Sequence, residues 1–237
     1  MTRLLARIRD DRGVSLAELI IAMSVTVLLL TMVGGFFVSV TRASTTTTGV
    51  DANTRVASTA MQEMQRMFRV ASNNPVASGA DTQYAFQYAS ATSVRFFAYI
   101  NLNSAVEVQP VEVQFTLDAA RGTLTETKWN GTPTDVTKSY FDFPRSTAPT
   151  LTATPTSSLV LATSVVPPTS GGLFTYTDAS GAALTPTASG LSTDDLQAVR
   201  GVSLTLTVGE RDAARSAAAD NVTLTSTVGM PNLQFGS

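Results

Sequence analysis

From Leu19 to Val40 the chain runs 22 residues without a charge, and Leu, Ile, Val or Phe fill thirteen of those positions. At about 1.5 Å of rise per residue this run reaches roughly 33 Å as a helix, the thickness of a bilayer's hydrocarbon core. Its apolar side chains sum to roughly −4 to −8 kcal/mol of insertion free energy, so a single acid at the leading edge, Glu18, does not prevent spanning. After the span, Arg42 to Ser58 is rich in Thr, with Thr45 to Thr48 in succession and then Gly49. That stretch has poor helix propensity, and the helix is expected to fray there. Helical spacing returns at Ala57, Met61, Met64, Phe68 and Ala71, opposite Gln62, Glu63, Gln65, Arg66 and Arg69. The pattern predicts an amphipathic helix whose Met stripe is core, ending before Pro75 at Ser72-Asn73-Asn74.

From Tyr84 onward the period changes from helical to extended. Val94 to Ile100, Val106 to Leu117 and Thr123 to Trp129 are rich in β-branched and aromatic residues, and Val111, Val113 and Phe115 alternate with Glu112, Gln114 and Thr116. These read as half-buried strands of a meander, with Asp118 to Gly122 as a short hairpin loop. Pro and Thr dominate Thr147 to Thr156, and Pro167-Pro168 with Gly171-Gly172 mark a second irregular stretch; both read as surface loops or ordered inserts. Extended segments resume at Leu173 to Thr177, Val199 to Val208 and Asn221 to Val228. The expected class is α+β: a long N-terminal helix, membrane-spanning in its first half and amphipathic in its second, packed on an antiparallel sheet.

Charge fixes the expected orientation. Arg3, Arg7, Arg9 and Arg12 against Asp10 and Asp11 precede the span, whereas Arg42 alone follows it until Arg55, so the N-terminus is expected in the cytoplasm and the rest outside. The 237 residues allow one domain of ordinary size beyond the helix. The chain has no Cys and no His, which excludes disulfides, thiol nucleophiles, imidazole bases and the usual zinc sites. A net charge of −2 gives no electrostatic case for a direct nucleic-acid site.

The approach to the span carries the sharpest motif: a basic leader ending in Gly13, then Val14-Ser15-Leu16-Ala17-Glu18-Leu19-Ile20. This resembles the cleavage and methylation signature of type IV pilins and type II secretion pseudopilins. The resemblance implies a leader, 1–13, cut between Gly13 and Val14 by a prepilin peptidase that also N-methylates Val14. It implies a helix over 14–72, a β-rich extracellular head over 73–237, and Glu18 as the acid that meets the terminal ammonium of a neighbouring subunit. Val14 departs from the more usual Phe or Met, and Ala17 from the common Ile. Removing the leader takes away four Arg and two Asp, moving the formal charge from −2 to −4, and leaves 224 residues. That length, Ala91-Thr92-Ser93-Val94-Arg95-Phe96, Phe174 to Asp178, Gly181 to Leu184 and a closing strand near Asn221 are similar to the larger W-like or J-like minor pilins. The implied partners are other pilin subunits, the peptidase and methyltransferase, the pilus assembly machinery and the membrane. The implied location is a single-pass membrane precursor and then a surface filament.

Other candidates are weaker. Gly34-Gly35 interrupts the span and reads either as a place where the helix melts during assembly or as a site of close helix packing. Asp194-Asp195 after Ser192-Thr193 reads as a helix start, with Ca²⁺ binding alongside Asp220 or Asn221 as the alternative. Glu107 and Glu112 lie five apart on one presumed strand and so should face opposite sides, which assembles no acid-base pair. The expectation is a structural subunit, not an enzyme, with no cofactor and no metal. A type II secretion pseudopilin is the alternative within the class. A stand-alone membrane-anchored adhesin or binding protein, a plain anchor and a secretory signal are the alternatives outside it.

Overall fold

A computed structural model describes residues 15–76, 83–100, 109–146, 148–210 and 220–234. Two compact units divide the chain, Met1–Thr47 and Thr48–Ser237, and one helix, α1 (Leu16–Arg69), contributes to both.

In the first unit the large apolar side chains from Leu16 to Val40 are about half exposed or more. This is the single helix among the described residues long and apolar enough to cross a membrane. Its few polar side chains return their hydroxyls to the helix: Ser24, Thr26 and Thr41 donate to the carbonyls of Ile20, Ala22 and Phe37 at 2.8, 2.7 and 2.9 Å. These three hydroxyls therefore need no water within the apolar stretch.

The expected fraying after Arg42 is not found, since the residues from Arg42 to Ser58 are helical throughout. Helix on both sides carries the segment through without a new nucleus, and the Thr hydroxyls are satisfied on the helix itself. Thr45, Thr47 and Thr54 donate to the carbonyls of Arg42, Ala43 and Val50 at 2.9, 2.9 and 2.7 Å.

In the second unit Ala57, Ala60, Met61, Met64, Met67 and Phe68 of α1 are buried, as the three- and four-residue spacing requires. Phe68 is the pivot of the core. Its ring stacks on Phe96 at 4.7 Å between centroids and meets Phe115 and Phe174 at 5.8 and 6.1 Å. The helix ends at Arg69, and Ser72 donates from its amide to the Phe97 carbonyl, so the chain leaves as an extended segment before Pro75.

The remaining elements in chain order are β1 (Phe86–Ala89), β2 (Ser93–Ile100), β3 (Gln109–Asp118), β4 (Thr123–Asn130), β5 (Thr132–Pro133), β6 (Phe141–Asp142), β7 (Ser157–Ala162), β8 (Val165–Val166), β9 (Phe174–Thr177), β10 (Ala183–Leu184), α2 (Thr193–Ala198), β11 (Gly201–Val208), β12 (Val222–Gly229) and α3 (Pro231–Gln234). The first sheet has the order β1-β2-β3-β4-β7 and the second β10-β9-β11-β12, with β8 also on β11, while β5 and β6 pair alone; every pairing is antiparallel. The class is α+β. Gly122, at φ 64°, closes the β3–β4 loop with its amide on the Asp118 carbonyl at 2.7 Å.

Alternation along β2 and β3 sends Val94, Phe96, Ala98, Val111, Val113 and Phe115 to the Phe68 core. The opposite face carries the polar positions of that alternation, yet Arg95, Glu112 and Gln114 are buried there too. Two covers explain this. Phe141 and Phe143 pack on Phe97, and the segment 148–155 crosses the face as a strap.

Candidate functional site

The start of α1 is the first candidate, and the chain folds locally to fix it. Ser15 precedes the helix and its Oγ accepts the Glu18 amide at 3.2 Å, while its carbonyl accepts the Leu19 amide at 3.1 Å. Ser15-Leu16-Ala17-Glu18 therefore occupies the positions of a capping box, a local role that sequence reading missed although the Ser-x-x-Glu spacing signals it. Glu18 lies in the first helical turn, where its negative charge complements the helix dipole, and its side chain is exposed in the single chain. Gly13 and Val14 lie outside the described residues.

Gly34 and Gly35 sit inside α1, and a Cβ built on either meets nothing within 4 Å. Replacing both with Ala is therefore expected to strengthen the helix by roughly 1 to 2 kcal/mol without a clash. Amide exchange across residues 31–39 of the full chain in micelles should slow about tenfold. Unchanged exchange there would mean the pair is not a weak point.

Asp194 and Asp195 fall in the first turn of α2, and Ser192 is its N-cap. The Ser192 Oγ accepts the Asp195 amide at 3.2 Å and donates to Asp195 Oδ2 at 2.7 Å. The Asp220 backbone carbonyl accepts from Asn53 Nδ2 at 2.9 Å, and Asn221 Oδ1 accepts the Glu210 amide at 2.8 Å. No group of three or more acids placed to hold a metal ion occurs among the described residues.

The second candidate is the buried face under the strap, which the sequence did not disclose. Arg95 Nε lies 3.0 Å from Glu112 Oε1, with both side chains essentially inaccessible. The guanidinium also donates to the carbonyls of Ser146 and Ala148, the latter at 3.0 Å. Gln114 Nε2 donates to the Pro149 carbonyl at 2.6 Å and to Ser93 Oγ at 2.9 Å, and Trp129 Nε1 donates to the Ala153 carbonyl at 3.0 Å. Three side chains of one sheet face thus clamp four carbonyls of one segment. Burial pushes the Glu112 carboxyl up to about 7, against the pull of Arg95, and the same burial lowers Arg95.

On the other face Lys128 bridges Glu126 at 2.8 Å and Glu63 of α1 at 3.6 Å, while Arg66 holds Glu63 at 2.6 Å. Arg66 keeps Glu63 below its ordinary range, and burial raises Glu126. These groups tie helix to strand. Glu107 lies outside the described residues, so the expected Glu107–Glu112 geometry has no counterpart.

Between strap and sheet an open groove of about 450 Å³ is lined by Thr116, Thr123, Thr125, Trp129, Leu151 and Pro155, among others. Gln114 and the mutually paired Asp118 and Arg121, 2.7 Å apart, line it as well. A comparison with protein-family models finds no match for the chain, and neither does a comparison with curated proteins.

Proposed function

We propose that the chain is a minor type IV pilin-like structural subunit, trimmed after Gly13, methylated at Val14 and assembled through its N-terminal helix into a surface filament. The observation that carries this reading is the capped, unbroken α1 directly after the Gly13-Val14 motif. A secretory signal would be cut among the small residues near Thr41 to Ser44, which here lie within continuous helix. The Arg-rich leader holds the N-terminus in the cytoplasm, and the β-rich head, which carries no catalytic constellation among its described residues, is presented outside. Its work is contact and assembly, not turnover. Glu18 supplies the buried acid that the new ammonium of an adjoining subunit answers, and an unanswered charge there is strongly disfavoured.

Mass spectrometry of the N-terminus tests the reading on protein from its own cells. The expected peptide begins at N-methylated Val14. A mature chain that still carries Met1 to Gly13 would overturn the proposal in favour of a tethered ectodomain.

A further inference from the structure

We propose that β7 is a self-association edge, at which two copies of this chain join their first sheets through antiparallel β7–β7 pairing. At one end of that sheet β7 pairs with β4 alone, so alternate amides and carbonyls of residues 157–162 point away from any described strand. The opposite edge is occupied, because Leu191 donates its amide to the Ala89 carbonyl of β1 at 2.8 Å.

Edge strands are usually protected by charge or proline, and β7 has neither in Ser-Ser-Leu-Val-Leu-Ala. Its one irregularity is a register slip near Ala162, which leaves residues 157–160 regular. Leu159 and Val160 are 58% and 52% exposed, among the few large apolar side chains of the second unit to stand in solvent. Unpaired backbone groups along an edge are a template for another strand, and exposed Leu and Val on it favour one with apolar side chains beside them.

The surroundings select a second copy over a charged partner. From Ser146 to Thr177 the chain has 32 consecutive residues without a charge, in a protein whose net charge is −2. Two copies can therefore bring these strands together without like-charge opposition, since Asp118 and Arg121, in the groove beside Ser158, are paired with each other at 2.7 Å, as are Glu126 and Lys128 on β4 at 2.8 Å. A twofold axis normal to the sheet keeps like faces together, so pairing centred on Val160 sets Val160 against Val160 and Leu159 against Leu161. Six-residue edges bury less than the roughly 1,200 Å² of a stable interface, so the contact is weak between free chains and effective between chains concentrated on one surface. The inference does not depend on cleavage after Gly13.

The absence of Cys allows a clean test. Val160→Cys and Leu159→Cys are made separately in the full chain, reconstituted in phosphatidylcholine vesicles and mildly oxidised. Antiparallel neighbours lie about 4.5 to 5.5 Å apart at Cα, within disulfide reach. At least one of the two variants is expected to give about five times more disulfide dimer than a control, Ala179→Cys, at an exposed turn. Adding Leu159→Lys to Val160→Cys, or Val160→Lys to Leu159→Cys, should return it to the control level while circular dichroism stays unchanged. Dimer at or below the control level for both variants, or dimer that the added Lys does not reduce, overturns the proposal. So does preferential dimerisation with an unrelated Cys protein included in the vesicles.

Discussion

If the chain is the filament subunit proposed above, replacing Glu18 with Gln is expected to leave membrane insertion intact and to lower incorporation into filaments at least about a hundredfold. The variant separates two roles that one residue can combine. As a capping-box residue, Glu18 acts beside Ser15, whose Oγ accepts its amide, and such boxes accept Gln as readily as Glu. As the partner of a neighbouring terminal ammonium it must carry charge, and Gln cannot. If only the cap matters, Glu18→Gln incorporates normally, whereas Ser15→Ala weakens the helix start by about 1 kcal/mol. If the ion pair matters, Glu18→Gln leaves an ammonium unanswered in an apolar filament core, a loss of about 3 to 5 kcal/mol. Quantifying the variant in sheared filaments against the membrane fraction gives the answer. Insertion itself should not move, because thirteen strongly apolar residues drive it and removing a charge only helps.

The parts of the fold legible in the sequence were those written in local periodicity. Ala57, Met61, Met64 and Phe68 announced a buried stripe, Val111, Val113 and Phe115 a strand face, and Gly122 the loop between β3 and β4; all are where those patterns place them. What the sequence concealed depends on partners distant along the chain. Alternation marks Glu112 and Gln114 as opposite to the core, but it cannot report that Ser146 and residues 148–153 return to bury them. The strand β7 went unread because its six residues follow a Pro- and Thr-rich stretch that masks the period. The continuity of α1 through Thr45 to Thr48 was hidden for another reason: propensity is summed residue by residue, whereas helix already formed on both sides spares the segment the cost of a new nucleus. At the candidate site, the Ser15-Glu18 spacing was visible, while the Arg95–Glu112 pair, 17 residues apart on adjacent strands, left no local trace.

That pair makes the second large effect. Arg95→Ala removes the partner of a buried acid and the donor to the Ser146 and Ala148 carbonyls, so the head should lose about 3 to 5 kcal/mol at pH 8, a large share of an ordinary domain's stability. The loss should be smaller at pH 5, where Glu112 is neutral and only the hydrogen bonds to the strap disappear. The sign in the parent chain follows from the same group. Its carboxyl titrates near 7 when folded and near 4.5 when unfolded, so its contribution is complete below about 4.5 and is lost as pH rises through about 7. The swing is on the order of 3 kcal/mol. Glu126, raised by burial as well, slopes the same way, and Glu63, Asp118, Asp135 and Asp178, all lowered, act at more acid pH. Glu112→Gln isolates the term: it should flatten the parent's stability loss between pH 5 and 8 while keeping the strap in place. Trp129, the single Trp, reports the strap directly, because its indole N–H is bonded to Ala153. Its emission should shift to the red in Arg95→Ala before the global denaturation midpoint, and not in Glu112→Gln. An emission spectrum in Arg95→Ala that changes only with global unfolding would mean that Gln114 and Trp129 hold the strap by themselves.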